Sequence, residues 1–277
     1  MLQTRENWRR HIVVQPVYVK DISFTATNYR FNMEIKERRT IRKYTQKDVS
    51  NELLNELIET AAHAATMGNM QLYSVIVTKD PAMKESLSPL HFNQPMVKEA
   101  PVVLTFCADF NRFTTWCKER NADAGYDNIL SFMNATADTL LFVQTFCTLA
   151  EKAGLGTCYL GTTVYNPQGI IDLLKLPKLV VPIATITVGW PAEDPKQSDR
   201  LPLHAIAHSE YYHSYSTDDI NNIYKEKESL EENKHFVAIN HKENLAQVFT
   251  DCRYTRKDNE SLSEGLLKVL REQGFLH

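Results

Sequence analysis

Apolar positions along this chain change period several times, and each change marks an element. From Ser50 onward, Leu53, Leu54, Leu57, Ile58, Ala61, Ala62 and Ala65 recur at i, i+3, i+4 spacing, which predicts an amphipathic helix with Ser50 as its N-cap. Met67-Gly68-Asn69 ends it as a loop. Residues 72–78 (LYSVIVT) are rich in β-branched side chains and predict a strand, followed by a short helix from Pro81. After Pro101, residues 102–109 (VVLTFCAD) form an almost continuous apolar run, as a strand buried on both faces requires. Residues 129–153 predict a long core helix that stops at Lys152-Ala153-Gly154. A short strand at Thr157–Leu160, a helix from Pro167 to Leu174 and a strand over 181–189 complete the pattern. Strands and helices alternate, so a layered α/β or α+β core is expected.

Both ends of the chain read differently. Residues 1–32 have no strong periodicity and no apolar face of helix length, and Met33 opens a segment that reads as a fresh start. They are read as a disordered or dispensable extension; an organellar presequence, suggested by Arg5, Arg9 and Arg10, lacks an amphipathic helix to support it. Residues 33–208 would form the core, and 209–277 a helical arm. Within that arm, 209–235 are read as one charged helical stretch and 261–273 as a last amphipathic helix. Such helices are too polar to build a core of their own, so they are expected to pack on the main body or on a partner chain.

Composition narrows the classes of function. With 43% hydrophobic and 23% charged residues, the chain has the balance of a soluble globular protein. A formal charge of -3 provides no global attraction for nucleic acid or an anionic membrane, so any anion site must be a local cluster of Lys or Arg. The longest uncharged run of the apolar helix, Thr139 to Ala150, is 12 residues; a membrane span needs about 20. Cys107, Cys117, Cys147, Cys158 and Cys252 are odd in number and widely spaced, which points to reduced thiols packed as small hydrophobes and to the cytoplasm.

Three clusters suggest chemistry. Arg38-Arg39-Thr40-Ile41-Arg42-Lys43-Tyr44 offers guanidinium forks and a hydroxyl, the donors that match a phosphate; standing alone, a solvated basic stretch explains it as well. Gly154-Leu155-Gly156-Thr157-Cys158-Tyr159-Leu160-Gly161-Thr162 is no dinucleotide fingerprint, because its order is helix then strand and Tyr159 falls where a third glycine belongs. Its glycines still allow a backbone to approach a planar ligand. Gly189-Trp190-Pro191, continuing to Asp199-Arg200-Leu201-Pro202, places a lone cation on a loop. His204 and His208 are four apart but lack the glutamate of HExxH and a third ligand, so a metal site is not expected.

Taken in order, RRTIRKY, FCADFNR (106–112), AEKAGLGTCYLG (150–161), LLKLP (173–177), GWP…DRLP (189–202) and the terminal LREQGF (270–275) resemble the nitroreductase family of flavin mononucleotide (FMN) enzymes, closest to the oxygen-insensitive major nitroreductases and related flavin reductases. The resemblance covers about residues 34–277. It implies an α+β fold, a mixed sheet flanked by helices, in an intertwined homodimer with FMN at the interface, NADPH or NADH as reductant and a small-molecule electron acceptor. It further implies that Arg38, Arg39, Thr40, Arg42 and Arg200 hold the phosphate and ribityl chain, and that Asn69, Gln94, Tyr159, Leu160 and Gly161 border the ring. No side chain is expected to act as acid, base or nucleophile, since hydride chemistry belongs to the cofactor. Two departures stand out: Ser198 occupies the place of an expected lysine, and Thr66-Met67-Gly68-Asn69 replaces a serine-rich loop. Arg253, Arg256 and Lys257 only partly match the positions that favour NADPH. A flavin reductase is the nearest alternative activity, and a non-catalytic FMN-binding protein on the same fold is a more distant one.

Overall fold

The computed structural model describes residues 35–277. Residues 1–32, read above as an extension, lie outside the described residues. Helix α1 (Asn51–Ala61) starts where Ser50 predicts: its hydroxyl accepts the Leu53 N–H, and Leu54, Leu57 and Ala61 are buried. Strand β1 (Tyr73–Thr78) follows, then α2 (Pro81–Leu87), capped by Asp80, and the one-turn α3 (Pro95–Glu99). Every residue of β2 (Val102–Asp109) is buried, as its continuous apolar run requires. After β2 come α4 (Asn111–Lys118) and the long α5 (Ile129–Lys152), capped by Asn128. Strand β3 (Gly156–Leu160), helix α6 (Pro167–Leu174) and strand β4 (Val180–Gly189) close the central part. Helices α3 and α4 are additions to the predicted pattern.

The four strands form one sheet in the order β1-β2-β4-β3, antiparallel at every pairing. A register shift between Phe106 and Cys107 bends the central pair. On one face, α1 and α5 cover Leu104, Phe106, Ala184 and Ile186, and Phe106 meets Phe142 edge-on with ring centroids 5.3 Å apart. On the other, Ile41, Tyr44, Val97 and Leu160 pack with Val103 and Cys158. Cys107, Cys117, Cys147 and Cys158 are buried free thiols, and burial pushes that of Cys147 up to about 12.

The C-terminal third departs from the expected continuous helix. Residues 209–215 are not helical. Helix α7 (Thr217–Ser229) begins at a capping box between Ser216 and Asp219, and α8 (Glu231–Ile239) starts afresh after Leu230, whose extended backbone ends one helix and opens the next. A short α9 (Leu245–Val248) and a π-helical turn at Phe249–Arg253 lead to α10 (Arg256–Gln273), which begins five residues before the predicted start because Thr255 caps it. Helix α10 is not confined to polar packing: Val269, Leu270 and the following Phe275 join Ala108, Phe132 and Val181 in a buried cluster.

Candidate active site

The arginine-rich segment is laced onto the edge of the sheet rather than left in solvent. Ile41 N–H donates to Thr157 O (3.0 Å), Thr45 N–H to Trp190 O (2.8 Å) and Ala192 N–H to Lys43 O (3.0 Å). Two apolar anchors explain why it lies there: Ile41 and Tyr44 are buried while Arg42 and Lys43 between them are exposed, and the Tyr44 hydroxyl donates to Ile41 O at 2.7 Å. Gly156 makes this approach possible, because a Cβ there would sit 2.6 Å from Ile41 Cβ. One carboxylate, that of Glu193, accepts both the Arg42 and Lys43 N–H groups at 2.6 and 3.0 Å. Anchored in this way, the segment holds its guanidinium groups along one edge.

Arg38 and Arg200 line one cavity of about 430 Å³ with Lys36, Gln144, Gln197 and Ser198, and among the described residues no carboxylate belongs to its wall. Arg38 Nε lies 3.2 Å from Glu151, which also accepts the Thr157 hydroxyl at 2.6 Å. Burial raises the Glu151 pKa, against the opposing pull of Thr157 and Arg38. Among the described residues Arg200 donates only to carbonyls of its own loop, Ser198 O (3.2 Å) and Asp199 O (2.8 Å). That loop is tied to α7 by Lys227, 2.8 Å from Asp199. Arg39 reaches Asp194 at 3.4 Å, and its Nε is buried without a hydrogen-bond partner among the described residues. Thr40 is half-buried and Arg42 exposed.

The second group gathers at the end of β3. Tyr159 is exposed and Leu160 buried, so Leu160 offers this surface its backbone only. Gly161 has open space where a side chain would be. Gln94 is drawn to the same turn: its amide donates to His91 O (3.1 Å) and contacts Thr162 Oγ1 (3.4 Å). His91 Nδ1 lies 2.9 Å from the same hydroxyl, and burial lowers the pKa of this histidine to about 4. Asn69 stands apart, in the turn after α1; among the described residues no hydrogen bond joins it to either group.

Sequence reasoning missed Lys36, His91, Thr162 and Glu193. Lys36 borders the arginine-rich motif and Thr162 ends the glycine-rich one, and that placement was the available signal. Glu193 and His91 act through contacts distant along the chain and leave no local trace. For His204 and His208 the structure removes the geometric premise. Residues 203–205 form only a 3₁₀ turn, and the His208 ring is engaged by the Tyr215 hydroxyl and the His213 N–H.

Comparison with known proteins identifies the family to which the chain belongs. An FMN reductase [NAD(P)H] of Bacillus subtilis (strain 168) is 35% identical over 181 residues, 64% of this chain and 72% of the relative. The oxygen-insensitive NADPH nitroreductase of Salmonella typhimurium is 33% identical over 174 residues, 63% of this chain and 71% of that one. A crystal structure of an assumed oxidoreductase from Bacteroides fragilis NCTC 9343 superposes with a TM-score of 0.87 at 67% identity, covering 88% of this chain and 99% of that chain. The profile of the nitroreductase family matches residues 35–190, the span that holds the laced arginine segment and the whole sheet, and the chain belongs to that family.

Proposed function

We propose that this chain is an FMN-dependent oxidoreductase that takes reducing equivalents from NADPH or NADH and delivers them to small electron-poor acceptors such as nitro compounds or quinones. The observation that carries the reading is the cavity that Lys36, Arg38 and Arg200 line, with no carboxylate in its wall among the described residues. Cations without a lining acid suit a phosphate dianion. The Nε of Arg39, without a partner among the described residues, and the open space at Gly161 fit the same group, one as a spare donor and the other as room for a planar ring. Arg38, Arg39, Thr40, Arg42 and Arg200 would hold the phosphate and ribityl chain. Asn69, Gln94, Tyr159, Leu160 and Gly161 would border the ring, Leu160 through its backbone. Lys36 takes over in space the charge that Ser198 lacks in sequence.

Bound FMN supplies the hydride chemistry. The chain's own residues bind, orient and exclude water, and no side chain is assigned a proton to move. The active unit is a homodimer. Its support is the outer face of α5, where Leu130, Met133, Leu140 and Leu141 are all exposed on a 24-residue helix. Buried free thiols favour a reducing compartment, the cytoplasm. Among the described residues no helix is long and apolar enough to cross a membrane.

Reductant and acceptor would occupy one site by turns, which predicts parallel double-reciprocal plots; intersecting plots would contradict it. The resemblance to an FMN reductase favours a second reading, in which free flavin is the acceptor. Turnover with free FMN measured against nitrofurazone and a quinone separates the two.

A further inference from the structure

We propose that Asp138 is a positioning residue that sets the shape of the loop carrying Asn69 and thereby orders the flavin ring; this rests on the preceding reading, in which Asn69 borders that ring. Asp138 sits in the middle of α5, on the face turned to the sheet, and is 1% exposed. Its carboxylate is fully engaged by one short segment. Oδ1 accepts the Met67 N–H at 2.8 Å, and Oδ2 accepts the Thr66 hydroxyl at 2.5 Å and the Leu72 N–H at 3.2 Å. Thr66 Oγ1 in turn accepts the Gln71 N–H at 3.0 Å. One buried anion therefore closes the loop at both ends.

The backbone between those ends needs such a hold. Gly68, Asn69 and Gln71 all have left-handed φ, at 55°, 56° and 54°, and two of them are not glycine. Non-glycine residues in that region persist only when their surroundings over-determine them. Here a second clamp adds to the first. Arg112, from the FCADFNR motif, donates to Gln71 O and to Tyr73 O (3.2 Å), while Asp109 accepts the Ser74 hydroxyl and the Arg112 N–H. What the clamps present is a set of exposed, neutral side chains: Met67, Asn69 and Gln71. A mere connection between α1 and β1 has no need of a buried carboxylate with three donors. A surface held in one shape for a ligand does.

Asp138→Asn tests this with little change of volume. Its amide cannot accept at every oxygen position, so it must leave at least one loop N–H or the Thr66 hydroxyl without its acceptor. Hydrogen exchange of the 67–72 amides in the full chain should quicken at least tenfold. FMN affinity, read by quenching of flavin fluorescence, should weaken about tenfold, and the visible circular dichroism of the bound flavin should change. Thr66→Val removes one arm of the clamp and should shift all three readouts in the same direction, and it decides the matter if Asp138→Asn does not fold. A purely structural role would be mimicked by Phe146→Ala on the same helix, which should lower stability yet leave FMN affinity within twofold. Wild-type FMN uptake with unchanged affinity and dichroism in Asp138→Asn, or in Thr66→Val if the former is unfolded, would overturn this proposal alone. A wild-type chain that takes up no FMN would overturn the functional reading along with it.

Discussion

The two faces of α5 are about equally apolar and differ in whether anything covers them. Toward the sheet, Phe142, Val143, Phe146 and Cys147 are buried against β2, β4 and α1. Away from it, Leu130, Met133, Leu140 and Leu141 are 41–68% exposed. A helix hydrophobic all round belongs inside something larger than its own layer. The contrast teaches that this chain completes the inner face and leaves the outer one uncovered, which is the face the proposed homodimer would bury.

The comparison is broken most completely by charging the outer face. Leu130→Glu with Met133→Glu should convert a dimer into a monomer at micromolar concentration in sedimentation velocity, since unpaired charges would be buried in the interface. A wild-type chain that sediments as a monomer would remove the contrast altogether. The inner face is sharpened by Phe146→Ala. Its ring is fully buried and packs 5.9 Å from that of Phe106, so denaturant unfolding should show a loss of about 3–5 kcal/mol. A loss below about 1 kcal/mol would mean that the core is not where the contacts place it. The smallest effect concerns the C-terminal end of the helix. Burial holds the Glu151 pKa above its ordinary 4.5, so the folded chain binds this proton more tightly than the unfolded one. Stability from this group is therefore present below about pH 4.5 and is lost as pH rises through the folded value. Unfolding free energies across that window should fall more with rising pH in the wild type than in Glu151→Gln. Equal slopes would show that Glu151 is not held this way.

How much of this was legible in sequence follows from how local each cause is. Helix α6 matched its predicted bounds because Pro167 opens it, and Leu174 closes it before a left-handed Lys175. The burial of β2 could be read from its unbroken apolar run. Leu230 could not be read as a break, because nothing near it in the charged stretch favours an extended backbone over a helical one. Asp138 was equally opaque: within an apolar helix it reads as a stray polar residue, and its partners lie 66–72 positions away. Among the site residues, Arg38 and Arg200 were named from motifs, but only the fold brings them to one cavity. Lys36 became visible only as its third cation.

On the proposed reading the Lys36–Arg38–Arg200 cavity belongs to a working flavin site. The most direct test of that reading is the visible spectrum of the FMN-loaded full chain under anaerobic conditions, before and after NADPH. The account predicts an oxidised-flavin spectrum that NADPH bleaches and nitrofurazone restores, with FMN lost from Arg38→Ala/Arg200→Ala at concentrations that saturate the wild type. A wild-type chain that takes up no FMN, or one whose bound flavin stays oxidised with both NADPH and NADH, would contradict it.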